Sequence, residues 1–303
     1  MLAATQNAGP ASSMFQIIGI VLLFGLVFGS YLMSGGKMDV ILHAAPHEMM
    51  AIGGAGIAAF LISNSMTTIK ATGGGFGKVF GGPKWKASDY KDLLSLLFLL
   101  TKTMKSKGVI ALESHIENPH DSTIFSRYPK IGKDHFATDF ICDTLRMMTM
   151  NLEDPHQVED AMEKQLEKHH HEALAPCNAL QSMADALPAL GIVAAVLGVI
   201  KTMGSISEPP EVLGGMIGGA LVGTFLGVFL AYGLVGPMAT RMKEVVDEES
   251  AFYKIIQAVL VAHLHGNAAQ ISVELGRGNV PSPSQPSFIE LEQALTEIPA
   301  EAA

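Results

Sequence analysis

The stretch VLGGMIGGALVGTFLGVFLAYGLVGPMAT, residues Val212–Thr240, contains 29 consecutive residues without Asp, Glu, Lys or Arg. A helix needs about 20 apolar residues to cross the hydrocarbon core of a bilayer. The stretch therefore predicts a membrane-spanning helix near Leu213–Pro237. A chain that contains such a segment is expected to be an integral membrane protein.

Three further stretches lack all four charged residue types, at Met1–Gly36, Met49–Ile69 and Ala186–Ile200. They predict three more membrane helices, near Phe15–Met33, Met49–Thr68 and Ala186–Met203. The predicted fold class is an all-α integral membrane protein with four transmembrane helices. A helical cytoplasmic domain is expected between the second and third helices, and a cytoplasmic tail at the C-terminus.

The composition excludes several classes of protein. Hydrophobic residues make up 49% of the chain and charged residues only 16%, against about 25% in soluble domains. A net charge of −9 argues against a nucleic-acid binder, whose surface would be basic. The two cysteines, Cys142 and Cys177, have no metal-ligand spacing and give no disulfide framework, so no metal or other cofactor is expected.

The basic residues predict the orientation. Of the 20 Lys and Arg residues, 18 lie on one side if the chain crosses the membrane four times, and Lys37 and Lys201 lie on the other. The side with more basic residues faces the cytoplasm. Both termini are therefore expected in the cytoplasm, and the first helix is expected to be uncleaved because no basic region precedes it.

These predictions divide the chain into five segments: an N-terminal tail (1–14), the first two membrane helices with a short periplasmic loop (15–69), the cytoplasmic domain (70–184), the last two membrane helices (185–238), and a cytoplasmic C-terminal helix and tail (239–303).

GGGFGKVFGG (Gly73–Gly82) lacks the spacing of a phosphate-binding loop and is interpreted as a flexible hinge. Leu and Met periodicity predicts helices near 89–108, 109–116, 133–150 and 155–172. His156 and His169–His171 are interpreted as a solvated helix face, since three consecutive histidines cannot all face one metal ion.

Small residues follow one face of the fourth membrane helix in steps of four, at Gly215, Gly219, Gly223 and Gly227. Such a ridge lets another helix approach to backbone contact. In the third helix, Pro188 precedes Gly191, Ala195 and Gly198, and a proline there removes one backbone donor. Tight packing alone explains these residues as well as a functional role does.

The four predicted spans contain no Asp, Glu, Lys, Arg or His apart from Lys201 at a helix end. Proteins that carry ions across membranes keep an ionisable side chain inside the membrane. Either this chain moves no ions, or a partner helix supplies the titrating group. The small-residue faces are suited to such a partner.

Several long motifs resemble those of the MotA flagellar stator family, within the MotA/TolQ/ExbB proton channel family. They follow in the family's order around four membrane helices: LESHIENPHDSTIFSRYP, ADALPALGIVAAVLGVIKTMGS, GGALVGTFLGVFLAYGLVGPMA, SVELGRG and PSFIELEQAL. The resemblance implies a flagellar motor stator subunit, not an enzyme, in the cell inner membrane. It implies five copies in a ring around two MotB chains (5:2), an aspartate supplied by MotB as the proton carrier, and torque applied to the rotor protein FliG.

The resemblance also implies roles for single residues. Pro188 and Pro237 match the family's two functional prolines, and Thr224 matches a polar position of the same channel. Lys105 and Glu113 match the pair that contacts FliG, although the family has arginine at the first position. Lysine keeps the charge but loses the bidentate guanidinium.

The coupling ion is expected to be the proton. Sodium-driven relatives carry a threonine where this chain has Ala195, and a methyl group cannot ligate sodium.

Three alternatives remain: an energy-transducing channel subunit similar to ExbB and TolQ, a transporter with inverted repeats, and a membrane enzyme. The four predicted spans disfavour the first alternative, because ExbB and TolQ have three. The two helix pairs are dissimilar, which disfavours inverted repeats. No nucleophile–base pair is evident, which disfavours an enzyme.

Overall fold

The computed structural model describes residues 10–150, 152 and 154–298, so most of the predicted N-terminal tail and the last five residues lie outside it. Within these ranges every regular element is a helix. One π-helical segment, Leu230–Val235, and three short 3₁₀ segments, Val109–Leu112, Pro119–Asp121 and Phe125–Arg127, accompany twelve α-helices. The α-helices are α1 (Pro10–Met33), α2 (Met38–Ser63), α3 (Met66–Gly81), α4 (Ala87–Lys107), α5 (Glu113–Glu117), α6 (Pro129–Gly132), α7 (His135–Thr149), α8 (Pro155–Gly204), α9 (Pro210–Phe229), α10 (Gly236–Leu264), α11 (Ala269–Gly278) and α12 (Phe288–Thr296).

Four helical stretches among the described residues are long and apolar enough to cross a membrane, which confirms the predicted fold class. They are Met14–Met33 in α1, Met38–Ser63, Pro155–Gly204, and the run Pro210–Leu264 that joins α9, the π-helical segment and α10. The last two continue well beyond the predicted spans. Because 20 residues suffice to cross a bilayer, α8 and α10 also extend outside the membrane.

The second membrane helix begins eleven residues earlier than predicted, at Met38 instead of Met49. Asp39 lies in its first turn, where a carboxylate interacts favourably with the helix dipole. The helix ends at Ser63, since the Ser65 hydroxyl accepts a hydrogen bond from the Thr68 N–H (3.3 Å) and caps the start of α3. The prediction was wrong because it treated charged residues as the limit of the helix.

The glycine run is helical, so its interpretation as a flexible hinge is wrong. It forms the second half of α3. Gly75 is buried against Met242, and a Cβ at this position would lie 2.6 Å from the Met242 sulfur. Gly75 therefore allows α3 to pack closely against Met242, whereas Gly73, Gly74, Gly77 and Gly81 have open space where a Cβ would lie.

The chain divides into two compact units. The first, which we call the membrane unit, comprises the chain up to Gly82 together with Ala173–Val245. Its core contains small and branched apolar side chains of α2, α8, α9 and the π-helical segment: Ile52, Leu187, Ala194, Val222, Leu226 and Ala231. Aromatic rings join α1 to α9, with Phe24 and Phe229 edge to face at 5.2 Å.

The second unit comprises Pro83–Glu172 together with the chain from Val246 onward. The middle of α4 is buried on all sides, because Leu93, Leu94, Leu97 and Leu99 are all inaccessible to solvent. The stacked rings of Trp85 and Phe252, 3.8 Å apart, attach the start of α4 to α10.

The histidines of α8 are only partly solvated. The ring of His169 stacks on Phe136 at 3.6 Å and is half-buried, so the prediction of a solvated face is wrong for this residue. His171 is exposed, as predicted. Among the described residues, no group of three His, Cys, Asp or Glu side chains is arranged to hold a metal ion.

Candidate functional site in the membrane unit

Helices α8 and α9 approach each other to backbone contact. A Cβ on Gly191 would lie 2.9 Å from the Gly223 carbonyl oxygen, and a Cβ on Gly227 would lie 2.7 Å from the Leu187 carbonyl oxygen. A second contact lies seven residues along each helix, where a Cβ on Gly198 would lie 2.6 Å from that of Ala220. Only glycine fits at these crossings, which fixes the register of the two helices.

The four glycines of the predicted ridge lie in different surroundings. Gly227 meets α8, and Gly223 lies between α8 and α2, where its nearest neighbours are Glu48 and Ala194. Gly219 has only the Ala44 Cβ of α2 nearby, which would lie 3.7 Å from a Cβ at position 219, whereas Gly215 has open space. The ridge therefore contacts two helices of the same chain and ends on a free surface.

The two residues predicted from α8, Pro188 and Ala195, are both half-buried. Pro188 has no N–H to donate to the carbonyl of the preceding turn, yet α8 continues through it from Pro155 to Gly204. Ala195 follows Ala194, which packs near Gly223. Both residues therefore lie beside the close contact between α8 and α9.

The two residues predicted from the fourth span lie at different depths. Thr224 is half-buried and follows Gly223 in α9, and Pro237 is exposed at the start of α10. Between them the helix widens into the π-helical segment, in which the Gly236 N–H donates to the Ala231 carbonyl. Segments of this kind are rare and frequently lie at functional sites. No feature of the sequence pattern distinguishes this segment from the rest of the span.

A carboxylate that the sequence analysis missed lies inside the membrane unit. Because α2 begins at Met38, it contains His43, His47 and Glu48, which lie before the predicted span Met49–Thr68. Glu48 points at α9, since a Cβ on Gly223 would lie 2.6 Å from the Glu48 Oε2 atom. The spacing of Asp39, His43 and His47, four residues apart, is a helical signal that could have extended the prediction.

The two residues predicted to contact the rotor lie in the second unit. Lys105 is in the last turn of α4, and Glu113 is the first residue of α5. Both side chains are exposed. The nearby His115 donates to or accepts from the Ser122 hydroxyl at 2.8 Å, and Arg146 of α7 binds Glu117 at 2.8 Å, so α5 is held firmly in place.

Two family models match the chain, Motility protein A N-terminal over residues 17–108 and MotA/TolQ/ExbB proton channel family over residues 133–254. Motility protein A of Escherichia coli (strain K12) is 40% identical over 280 residues, which cover 92% of this chain and 94% of the relative. The chain belongs to the motility protein A family. The resemblance seen in the sequence motifs is confirmed, and so is the prediction of a stator subunit of the proton channel family.

Solved structures confirm the fold. MotAB of C. jejuni matches with a TM-score of 0.68 and 18% identity, over 90% of this chain and 98% of the other. The flagellar MotAB stator complex of Bacillus subtilis matches with a TM-score of 0.65 and 22% identity, over 85% of this chain and 92% of the other. The similarity to motility proteins along almost the whole chain favours this branch of the family over the ExbB and TolQ branch.

Proposed function

We propose that this chain pairs with MotB and converts a proton gradient into rotation of the flagellum. The observation that carries the proposal is the 40% identity to a motility protein over 92% of the chain. The solved relatives are complexes of MotA with MotB, which supports MotB as the partner here. As the family resemblance implies, five copies surround two MotB chains, and an aspartate of MotB carries the proton.

Three residues beside the α8–α9 contact, and Pro237 beyond it at the start of α10, are proposed to act on that aspartate. Pro188 shapes α8 where it passes the carboxylate, and Thr224 offers a hydroxyl on α9. Pro237 follows the π-helical segment and transmits the protonation state toward the cytoplasm. Ala195 offers only a methyl group, which favours the proton over sodium as the coupling ion.

The second unit is proposed to deliver the torque. The exposed side chains of Lys105 and Glu113 are available to charged partners on FliG. Attraction between such charges acts over a Debye length of about 8 Å at physiological salt, so lysine can replace the family's arginine. The rotor contact therefore depends on charge more than on bidentate geometry.

The chain is proposed to lie in the cell inner membrane with both termini in the cytoplasm. The support for this orientation is the distribution of basic residues, of which 18 of 20 fall on one side of the four spans. The second unit then faces the cytoplasm, where the rotor is. The short turns after α1 and α8 face outward.

Co-expression with a single-span MotB partner tests the proposal. We expect the two chains to co-purify, with a native mass of five copies of this chain and two of the partner. We also expect them to restore swimming to a strain that lacks its own stator. A chain that purifies without the partner and leaves the strain non-motile would contradict the proposal.

A further inference from the structure

Glu48 is a half-buried residue of α2 in the membrane unit. It follows the start of α2 by ten residues, which corresponds to about 15 Å at a rise of 1.5 Å per residue. The helix continues for another 15 residues to Ser63. Glu48 therefore lies in the half of α2 that leads to the short turn after α1.

The carboxylate packs directly against the backbone of α9. A Cβ on Gly223 would lie 2.6 Å from Oε2 and 3.3 Å from Cδ of Glu48, so any other residue at position 223 would displace the side chain. The Oε2 atom is buried, and within the described part of the chain it has no hydrogen-bond partner. Such an oxygen is costly in a membrane unless it binds a proton, a cation or another polar group.

A cleft of about 420 Å³ connects this position with the short-turn end of the membrane unit. Asp39, His43 and His47 of α2 line it at intervals of four residues, one below the other on one face of the helix. The parallel row Val40, Ala44 and Glu48 also lines it and contacts α9. Most of the lining is apolar, but its charged and titratable side chains give water hydrogen-bond partners. A cleft of this size has room for several water molecules, each of which occupies about 30 Å³ in the liquid.

The charged and titratable groups around the cleft come from two helices. Helix α2 contributes Asp39, His43, His47 and Glu48, and α8 contributes Lys201. Helix α9 contributes Gly215, Met216, Gly219 and Ala220, none of which titrates. Each imidazole ring carries two nitrogens that can donate or accept hydrogen bonds, so His43 and His47 can form a hydrogen-bond chain with cleft water that leads to the Glu48 carboxylate.

We propose that Glu48 is a proton-binding residue within the membrane, reached from the outer side through the cleft lined by Asp39, His43 and His47. This inference deepens the proposed function and rests on it for the direction of proton flow. Glu48 accepts one proton from a hydronium ion in the cleft, so that one O–H bond of the hydronium breaks, a new O–H bond forms on the carboxylate, and a water molecule remains. The new bond breaks when the proton passes to the next base, and no electrons are exchanged.

Infrared difference spectroscopy on the full chain in lipid vesicles, without the partner, tests proton binding directly. Acidification protonates many of the 29 Asp and Glu side chains, so the Glu48 band is the component of the carboxylic acid absorption that Glu48→Gln should remove from the wild-type spectrum. Glu48→Asp should retain the band at a shifted frequency. This variant provides the test if Glu48→Gln folds poorly. Glu211→Gln, an exposed carboxylate in the first turn of α9, is the matched control and should keep the band.

The outcomes separate this inference from the proposed function. A band that is unchanged in both Glu48 variants, or one that responds to added sodium ions at constant pH instead of to acid, would overturn the inference. The complex with MotB is then measured for proton conduction. If the wild-type complex conducts nothing while the Glu48 band is present, the proposed function fails and the proton-binding residue stands.

Discussion

Gly223 shows how a single hydrogen atom in place of a methyl group lets a carboxylate approach a helix backbone. The side chain of Glu48 fills the space that a Cβ would occupy, and the Ala194 Cβ lies 3.4 Å from the same point. The absence of a side chain at position 223 therefore leaves room for both Glu48 of α2 and Ala194 of α8. Its effect on stability depends on which side chain stands at position 48.

We expect Gly223→Ala to lower the free energy of unfolding by about 1 kcal/mol, the low end of the usual cost of overpacking, because the flexible Glu48 side chain can move aside. In a Glu48→Ala background the same change should cost less, since the remaining neighbour is at ordinary contact distance. Thermal unfolding of the four proteins of this double-mutant cycle, in detergent, measures the coupling. Additive effects would show that the two residues do not contact each other.

His115 is a second residue whose surroundings change its chemistry. Burial, together with the nearby charge of Lys107, lowers the pKa of His115. The unfolded chain, with a histidine pKa of about 6.5, therefore binds the proton more tightly than the folded chain does. This contribution to stability is complete above about pH 6.5 and is lost as the pH falls toward the folded-state pKa.

We therefore expect His115→Gln to reduce the fall in melting temperature between about pH 7 and about pH 5. His120→Gln is the matched control, because His120 is exposed on the neighbouring 3₁₀ segment. Melting temperatures from circular dichroism measure both variants. An equal pH dependence in wild type and His115→Gln would contradict the assignment.

At the residue scale the sequence predicted some roles and missed others. Lys105 and Glu113 have no feature that separates them from other exposed charges, so only the family resemblance singled them out. Glu48 was missed because its neighbours are charged or titratable, which placed it outside the predicted span. Whether its oxygen has a partner depends on α9, which is distant in sequence.

Among the elements, the contact between α8 and α9 depends on glycines that have very different neighbours. Gly227 faces backbone atoms of Leu187 and Gly191, whereas Gly215 on the same ridge has open space around it. Backbone atoms cannot move aside as a flexible side chain can. The two positions therefore separate the effect of packing from that of helix propensity.

Gly227→Ala should destabilise the chain by about 1–3 kcal/mol, because the new methyl group would lie 2.7 Å from the Leu187 carbonyl oxygen. Gly215→Ala should be neutral or stabilising, since alanine favours helix. Thermal unfolding of the purified chain compares the two directly. Equal losses would mean that the ridge acts through helix propensity alone.

Element identity was predictable from the sequence, and element boundaries were less so. Charge-free runs located all four spans, because hydrocarbon excludes charge. They could not show that α8 is one helix of 50 residues through Pro176 and Pro188, since prolines usually end helices. The glycine run of α3 was unpredictable for a similar reason, because Met242 packs over it from distant sequence.

At the scale of the whole molecule, proton flow and torque are assigned to different units. The candidate proton path lies in the membrane unit, and Lys105 and Glu113 lie in the second unit. Each unit has its own hydrophobic core. Changes to the charges of the second unit should therefore leave the membrane unit folded.

Reversing both charges, with Lys105→Glu and Glu113→Lys, should spare proton conduction and abolish swimming. Glu163→Lys with Lys164→Glu, an exposed pair on α8, is the matched control and should swim normally. Proton flux and the rotation of tethered cells measure the two functions separately. Normal rotation of the first double variant would remove the rotor assignment.

Motility that depends on this chain should persist without sodium and stop when a protonophore is added. The physical reason is the methyl group of Ala195, which offers no oxygen to a dehydrated sodium ion. Swimming speed in sodium-free medium, with and without the protonophore, measures the dependence. Swimming that ceases when sodium is withdrawn would contradict proton coupling.

The π-helical segment Leu230–Val235 changes the direction in which the later side chains of the fourth span point around the helix axis. One extra residue in a helix rotates everything beyond it by about 100° around the axis. The side chains that follow, from Gly236 onward, therefore point in other directions than the four-residue ridge would dictate. A one-residue deletion in this segment would restore the regular hydrogen-bond ladder and leave Pro237 and Arg241 facing as they do now. Substitutions that made the same residues continuously α-helical would instead turn both side chains by about 100° around the axis.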